Sequence, residues 1–117
     1  MRLSADEGID VLAQFAKDTV KKAGKEALRF YGKGAAGVTF DERLVTEAEL
    51  HLEGFFRDEV HSRFPGHTIF QDGQIESEYS HGGRRYLWVF DALDGVSNFQ
   101  AGIPIWGISL ALLENFW

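Results

Sequence analysis

The run Arg-Tyr-Leu-Trp-Val-Phe at residues 85–90 constrains the fold more than any other part of this sequence. A continuous series of aromatic and branched side chains is typical of a strand that is covered on both faces. Two carboxylates and a glycine follow the run, at Asp91, Asp94 and Gly95. The sequence therefore predicts a buried strand that ends in a polar glycine turn.

The N-terminal part predicts an amphipathic helix over residues 5–31, because apolar side chains recur there every three or four residues. Ser4 and Glu7 have the spacing of a capping box at the start of this helix. Residues 38–45 alternate only partly, so we interpret them as a short strand or one arm of a hairpin. Three glycines are predicted to end the helix and open a turn before that segment: Gly32, Gly34 and Gly37.

A second helix is predicted over residues 46–64. Thr46 and Glu49 again have capping-box spacing, and apolar residues follow at helical spacing. Pro65-Gly66 is a strong stop signal, since proline cannot continue a helix and glycine favours a turn. This helix is expected to pack on the first helix or on a sheet.

The remaining segments complete a layered fold. Residues 68–70 are predicted to form a short strand, residues 71–83 a mobile polar loop, and residues 105–113 another buried strand. Because helices and strands alternate without internal repeats, the predicted class is a layered α+β fold. At 117 residues, one core is expected to bury roughly 65% of the unfolded surface, so residues 1–117 are predicted to be a single domain.

Composition excludes several classes of function. With 12 Lys+Arg against 18 Asp+Glu, the formal charge of −6 repels a phosphate backbone, so no nucleic-acid partner is predicted. The sequence contains no cysteine, which excludes disulfides, thiolate zinc sites and cysteine nucleophiles. No window approaches the apolar length of a membrane span, and the N-terminus lacks an apolar signal region. The expectation is a cytoplasmic protein without a membrane partner.

The residues that follow the predicted strand at 85–90 are the candidates for a catalytic or ligand-binding role. Asp91, Asp94 and the carbonyl group of Leu93 would offer hard oxygen ligands, which suit Mg²⁺ or Mn²⁺. Gly95 would let the backbone approach a ligand closely, and a helical turn beginning there would aim N–H groups at an anion. Adjacent metal and anion sites indicate hydrolysis of a phosphate ester. The alternative is a turn with two solvated aspartates, and spacing alone does not separate the two interpretations.

The residues of this turn resemble a family signature. The stretch from Trp88 to Phe99, with Asp91 and Leu93-Asp94-Gly95 inside it, resembles W-x-[IV]-D-P-[LI]-D-G-T-x-N-F of the inositol monophosphatase family. These enzymes are magnesium-dependent, lithium-sensitive phosphatases. Three further segments match in order and separation, so that the resemblance covers nearly the whole chain: Leu44–Glu49, Arg63–His67 and Gly102-Ile103-Pro104.

The resemblance implies a fold and a site. The fold would have two N-terminal helices packed on a mostly antiparallel sheet, with a second α/β half completing the active site. Asp91 and Asp94 would bind Mg²⁺, with Mn²⁺ as an alternative, through their side chains, and Leu93 through its carbonyl group. The backbone of Gly95 and Val96, with Ser97 nearby, would hold the phosphate of a small substrate such as an inositol or sugar phosphate.

Two catalytic positions depart from the family. Where the family has an aspartate in L-V-T-x-x-D, this chain has Glu49, which keeps the charge but is longer by one methylene group. We favour a capping role for Glu49, because it completes the capping box with Thr46. Val96 stands where the family has a threonine, so it lacks the hydroxyl group that would relay a proton from water.

A third departure lies in the polar loop. The G-E-E motif of the family, whose second glutamate binds metal, aligns with residues 71–73, Gln-Asp-Gly. Asp72 is therefore the predicted catalytic carboxylate of this loop, and Glu76 or Glu78 could replace it if the loop shifts. The competing interpretation is that all three carboxylates are solvated surface charges.

The short length of the chain, compared with its family, leaves two hypotheses for its function. Family members are about twice as long, and their second half supplies a further metal-binding aspartate and the residues that recognise the substrate. The first hypothesis is a magnesium-dependent phosphatase whose activity is weak or lost in this short chain. The alternative is a non-catalytic, truncated relative that acts as a dimerisation or partner-binding module. The ending at residues 113–117, with the apolar side chains of Leu113, Phe116 and Trp117, would then contact a second copy or a chain that supplies the missing half.

Overall fold

The computed structural model describes residues 8–32, 42–70 and 86–114. Two long helices precede a small mixed sheet, and a short helix lies between the last two strands. The elements, in chain order, are α1 (Ile9–Ala27), α2 (Glu42–Arg63), β1 (Thr68–Ile69), β2 (Tyr86–Asp94), α3 (Val96–Ala101) and β3 (Gly107–Glu114). None of the helices in the described ranges is both long enough and apolar enough to cross a lipid bilayer.

Helix α1 is amphipathic, but shorter than its sequence pattern predicts. It begins after Gly8 and ends at Ala27, and a turn continues to Gly32. Its buried stripe starts at Leu12, which is fully buried, whereas Ile9, the first residue of the helix, is 69% exposed. The predicted capping box at Ser4 and Glu7 lies outside the described residues.

Helix α2 begins four residues before the predicted start. Its first residue is Glu42, so Thr46 and Glu49 lie inside the helix and the predicted capping box is wrong. The predicted strand at residues 38–45 is also wrong from residue 42 onward, and residues 38–41 lie outside the described residues. The physical reason is helix propensity, because the Glu, Arg, Leu and Ala residues that surround Thr46 are strong helix formers.

The two long helices pack against each other and against one face of the sheet. Phe56, Val60 and Phe64 of α2 join Leu12 of α1 and Trp88 of β2 in one buried cluster. Polar contacts also join the helices: His51 Nε2 lies 2.6 Å from Glu26 Oε1, and Lys22 Nζ donates to Glu59 Oε1 at 3.4 Å. The expectation of helices layered on a sheet is confirmed.

Strand β2 lies at the centre of a three-stranded sheet with the order β1-β2-β3. It pairs in parallel with β1 over two residues and antiparallel with β3 over most of its length, which makes the sheet mostly antiparallel. Trp88 is fully buried at its centre. The expectation of a buried last strand is wrong: within the described ranges β3 pairs only with β2, and its residues are half-buried or exposed.

Candidate active site

A β-bulge in β2 shapes the predicted metal site. The antiparallel pairing with β3 runs regularly to Asp91 opposite Ser109 and resumes at Asp94 opposite Gly107, so two β2 residues face one β3 residue. Ala92 and Leu93 are consequently both buried, at 4% and 5% exposure, although they are adjacent in the strand. In a regular strand, residues three apart point to opposite faces. The bulge instead leaves Asp91 and Asp94 both exposed.

A local hydrogen bond holds the first of these carboxylates. The backbone N–H of Leu93 donates to Asp91 Oδ1 at 3.4 Å. Short aspartate side chains often make such bonds to the backbone two residues on, and the bond keeps the carboxylate beside the bulge. The Leu93 side chain anchors the same segment in the core, in contact with a cluster that includes Leu52 and Phe99.

Gly95 turns the chain sharply after Asp94. Its φ and ψ angles are 77° and 42°, a left-handed conformation that favours glycine. A Cβ atom at this position would lie 2.7 Å from the carbonyl oxygen of Ile105, so a larger residue does not fit. Helix α3 starts at the next residue, with Val96 half-buried and Ser97 exposed.

A cleft of about 520 Å³ opens between α2 and the sheet. Glu49 and Glu53 of α2 and Asp91 of β2 line it together, with Arg57 and several apolar side chains. Burial raises the pKa of Glu49, and the negative charges of Glu53 and Asp91 raise it further. Three carboxylates therefore share this cleft with the guanidinium group of Arg57.

The structure brings together only some of the residues that the sequence predicted. Glu49 and Asp91 share the cleft, whereas Asp94, Gly95, Val96 and Ser97 do not line it and lie along the turn beyond the bulge. The predicted carboxylates of the polar loop lie outside the described residues: Asp72, Glu76 and Glu78. Within residues 8–32, 42–70 and 86–114, no three acidic or histidine side chains are grouped so that they could hold a metal ion.

Sequence reasoning missed two side chains of the cleft. Glu53 and Arg57 follow Glu49 at intervals of four residues, so one face of α2 presents all three. This spacing is visible in the sequence. Glu53 and Arg57 lie beyond Leu44–Glu49, the segment of α2 that resembles the family, and the resemblance therefore does not point to them.

Two helices packed on a mixed three-stranded sheet, with a bulged central strand that leads into a glycine turn, define a layered α+β fold. The model of the inositol monophosphatase family matches residues 9–116. Among curated proteins, a histidinol-phosphatase of Chlorobaculum parvum is 33% identical over 101 residues, which cover 85% of this chain and 38% of that protein. An inositol-1-monophosphatase of Bacillus subtilis is 36% identical over 73 residues, or 62% of this chain and 27% of that protein. The chain belongs to the inositol monophosphatase family.

Solved structures agree with this assignment. The IMPase of Thermotoga maritima superposes with a TM-score of 0.67 at 30% identity, covering 92% of this chain and 41% of that one. An inositol monophosphatase from Zymomonas mobilis gives a TM-score of 0.69 at 22% identity, which supports the fold alone. The chain thus spans about 40% of the length of these structures. The predicted family and fold class are confirmed.

Proposed function

We propose that this chain, as a single domain over residues 1–117, carries the metal-binding and phosphate-binding part of a magnesium-dependent hydrolase of small phosphomonoesters. The observation that carries the proposal is the bulge: Asp91 and Asp94, which flank it, are both exposed, and Gly95 follows Asp94. Membership of the inositol monophosphatase family supports the reaction class. An inositol or sugar phosphate is the proposed substrate.

Each predicted site residue has a distinct proposed role. The side chains of Asp91 and Asp94 and the carbonyl group of Leu93 would hold Mg²⁺, or Mn²⁺, because their hard oxygen atoms suit these ions. When bound, the ion supplies positive charge that stabilises negative charge developing on phosphate oxygens. The N–H groups of Gly95 and Val96 and the hydroxyl group of Ser97 would bind the substrate phosphate.

Two carboxylates are proposed to orient the attacking water, namely Glu49 from the cleft and Asp72 from the polar loop. A general base must lie within hydrogen-bond reach of the proton that it removes. Glu49 shares the cleft with Asp91, which supports this role. Val96 offers no hydroxyl group for the relay, so we propose weak turnover.

The direct test measures phosphate release from inositol phosphate and sugar phosphates in the presence of Mg²⁺. Replacing both metal ligands, Asp91→Asn with Asp94→Asn, is expected to lower the rate at least about 100-fold, since each ligand loss removes electrostatic stabilisation. The matched control is Asp10→Asn with Asp58→Asn, two exposed aspartates of the helices that do not line the cleft. Equal rates for the wild type and the ligand variant would refute catalysis by this chain.

A second candidate function is a binding or assembly module, in which the partner is a second copy of the chain or a chain that supplies a further half. The outer edge of β3 supports it, because among the described residues this edge pairs with no other strand. Ile103 and Ile105, which precede β3, are 44% and 69% exposed. Sedimentation should show self-association that Ile105→Lys weakens, and a stable monomer at micromolar concentration that co-purifies with no partner would contradict this function.

A further inference from the structure

The turn after α1 contacts the far end of α3. The hydroxyl group of Tyr31 donates to the carbonyl oxygen of Gly102 at 2.6 Å, across 71 positions of sequence. The backbone N–H of Gly32 donates to the carbonyl oxygen of Phe99 at 2.9 Å. Two hydrogen bonds from consecutive residues therefore join the turn after α1 to the C-terminal end of α3.

Packing reinforces these hydrogen bonds. The ring of Tyr31 lies 5.7 Å from the ring of Phe99 and 5.6 Å from the ring of Trp106. Phe99 is fully buried, and a Cβ atom on Gly32 would lie 3.4 Å from the Cα atom of Gly102. The two backbone segments thus approach each other closely and leave little freedom for a shift of α3.

Helix α3 depends on such outside contacts for its orientation. It has six residues, whereas isolated helices shorter than about 12 residues are marginal in water. It also follows Gly95 directly, so any rotation of α3 changes where the N–H groups of Gly95 and Val96 point. A contact that holds the far end of α3 therefore acts on the turn at its beginning.

We infer that Tyr31 is a positioning residue, whose hydroxyl group fixes α3 and thereby holds the turn of Gly95 and Val96 in the orientation that binds phosphate. This inference rests on the proposed function. The conservative variant Tyr31→Phe keeps the aromatic packing and removes only the hydrogen bond to Gly102. Tyr86→Phe is the matched control. Tyr86 is a buried tyrosine at the start of β2, whereas Gly95 and α3 follow the end of that strand.

The experiment compares the wild type with the two variants, using the whole chain in the presence of Mg²⁺. The first measurement is amide hydrogen exchange at Phe99 and Ile103, whose N–H groups bond to the carbonyl oxygens of Gly95 and Asn98. Losing one hydrogen bond is expected to accelerate exchange about fivefold in Tyr31→Phe and not in Tyr86→Phe. This measurement needs no substrate.

The second measurement is the affinity for inorganic phosphate, together with KM and kcat for the phosphate ester. Tyr31→Phe is expected to weaken phosphate binding and to raise KM about fivefold with little change in kcat, because phosphate is held in both the ground state and the transition state. A purely structural role would lower thermal stability without this division between KM and kcat.

Two results overturn the inference. Unchanged exchange at Phe99 and Ile103 in Tyr31→Phe would show that the hydroxyl group does not hold α3. Faster exchange with unaltered phosphate affinity would show that α3 does not position the phosphate. If the wild type binds no phosphate and releases none, the proposed function fails. In that case, shifted amide resonances of Gly95 and Val96 in Tyr31→Phe support the positioning role, and unshifted resonances refute it.

Discussion

Gly95 is the residue at which conformation and space most strongly restrict substitution. Its φ of 77° is unfavourable for any residue with a Cβ atom, and that atom would lie 2.7 Å from a backbone oxygen. We predict that Gly95→Ala lowers the free energy of unfolding by at least about 2 kcal/mol, from the left-handed conformation and the contact together. Urea denaturation at neutral pH measures the change.

Gly54→Ala is the matched control for that substitution. Gly54 lies within α2, and a Cβ atom there would have nothing within 4 Å. Alanine is the better helix former, so this variant is expected to gain roughly 0.5–1 kcal/mol. If Gly95→Ala is as stable to urea as Gly54→Ala, the result would contradict the left-handed conformation of Gly95.

His67 is a second residue whose surroundings determine a measurable property. It is 7% exposed, and the Nε1–H group of Trp88 donates to its Nδ1 atom at 3.0 Å. The proton of the neutral ring is therefore on Nε2, which has no hydrogen-bond partner among the described residues. Burial lowers the pKa of His67 to about 4.

This lowered pKa predicts acid sensitivity. Above the unfolded pKa of 6.5 the neutral ring is favoured in both states, and the full stability is present. As the pH falls from 6.5 toward about 4, His67 is protonated in the unfolded state but stays neutral in the folded state. The free energy of unfolding therefore decreases. Between pH 7.5 and pH 5, the loss is expected to be about 2 kcal/mol, measured by urea denaturation.

His67→Phe keeps a ring in the stack with Phe64 and is expected to remove most of this pH dependence, although Trp88 then loses its acceptor and the variant is less stable throughout. His61→Gln, at an exposed position of α2, serves as the control and should keep the wild-type slope. If the free energy of unfolding of His67→Phe depends on pH as strongly as that of the wild type, His67 is not the cause of the acid sensitivity.

At the scale of elements, α2 connects the core to the cleft. Leu52 is fully buried on the side facing the sheet, whereas Leu50, two residues earlier, is 63% exposed. We predict that Leu52→Ala lowers the free energy of unfolding by about 2–5 kcal/mol, through lost burial and the cavity left behind. Leu50→Ala should stay within about 0.5 kcal/mol of the wild type. Similar losses for both variants would contradict the orientation of α2.

The sequence predicted local features of the elements better than relations between them. Both long helices could be recognised because periodic apolar residues, such as Leu52 and Phe56, report burial within one segment. The pattern predicts the start of α2 four residues too late, because Thr46 and Glu49 match a cap locally while their neighbours favour continued helix.

The bulge was not predictable in the same way. It is a property of the register between β2 and β3, and nothing within β2 specifies that two of its residues oppose one partner residue. Their position after the strand and their oxygen atoms made Asp91 and Asp94 candidate ligands, and the resemblance to the family supported them. The sequence could not explain why carboxylates three positions apart in a strand are both exposed.

At the scale of the whole molecule, negative charge is in excess and partly crowded. The formal net charge is −6, and Glu49, Glu53 and Asp91 share one cleft. Removing one of these charges without metal should relieve repulsion, so Glu49→Gln is expected to stabilise the metal-free chain by up to about 1 kcal/mol.

The proposed Mg²⁺ site at Asp91, Leu93 and Asp94 predicts that Mg²⁺ stabilises the folded chain by mass action. At a free concentration 100 times the dissociation constant, a ligand that binds only the folded state adds about 2.7 kcal/mol to the free energy of unfolding. Denaturation with Mg²⁺, and with NaCl at equal ionic strength, separates binding from charge screening. The Asp91→Asn, Asp94→Asn variant should lose the Mg²⁺-specific gain, and the Asp10→Asn, Asp58→Asn control should keep it. A gain of equal size in the ligand variant would show that Mg²⁺ binds elsewhere, and no gain in the wild type would refute a magnesium site in this chain.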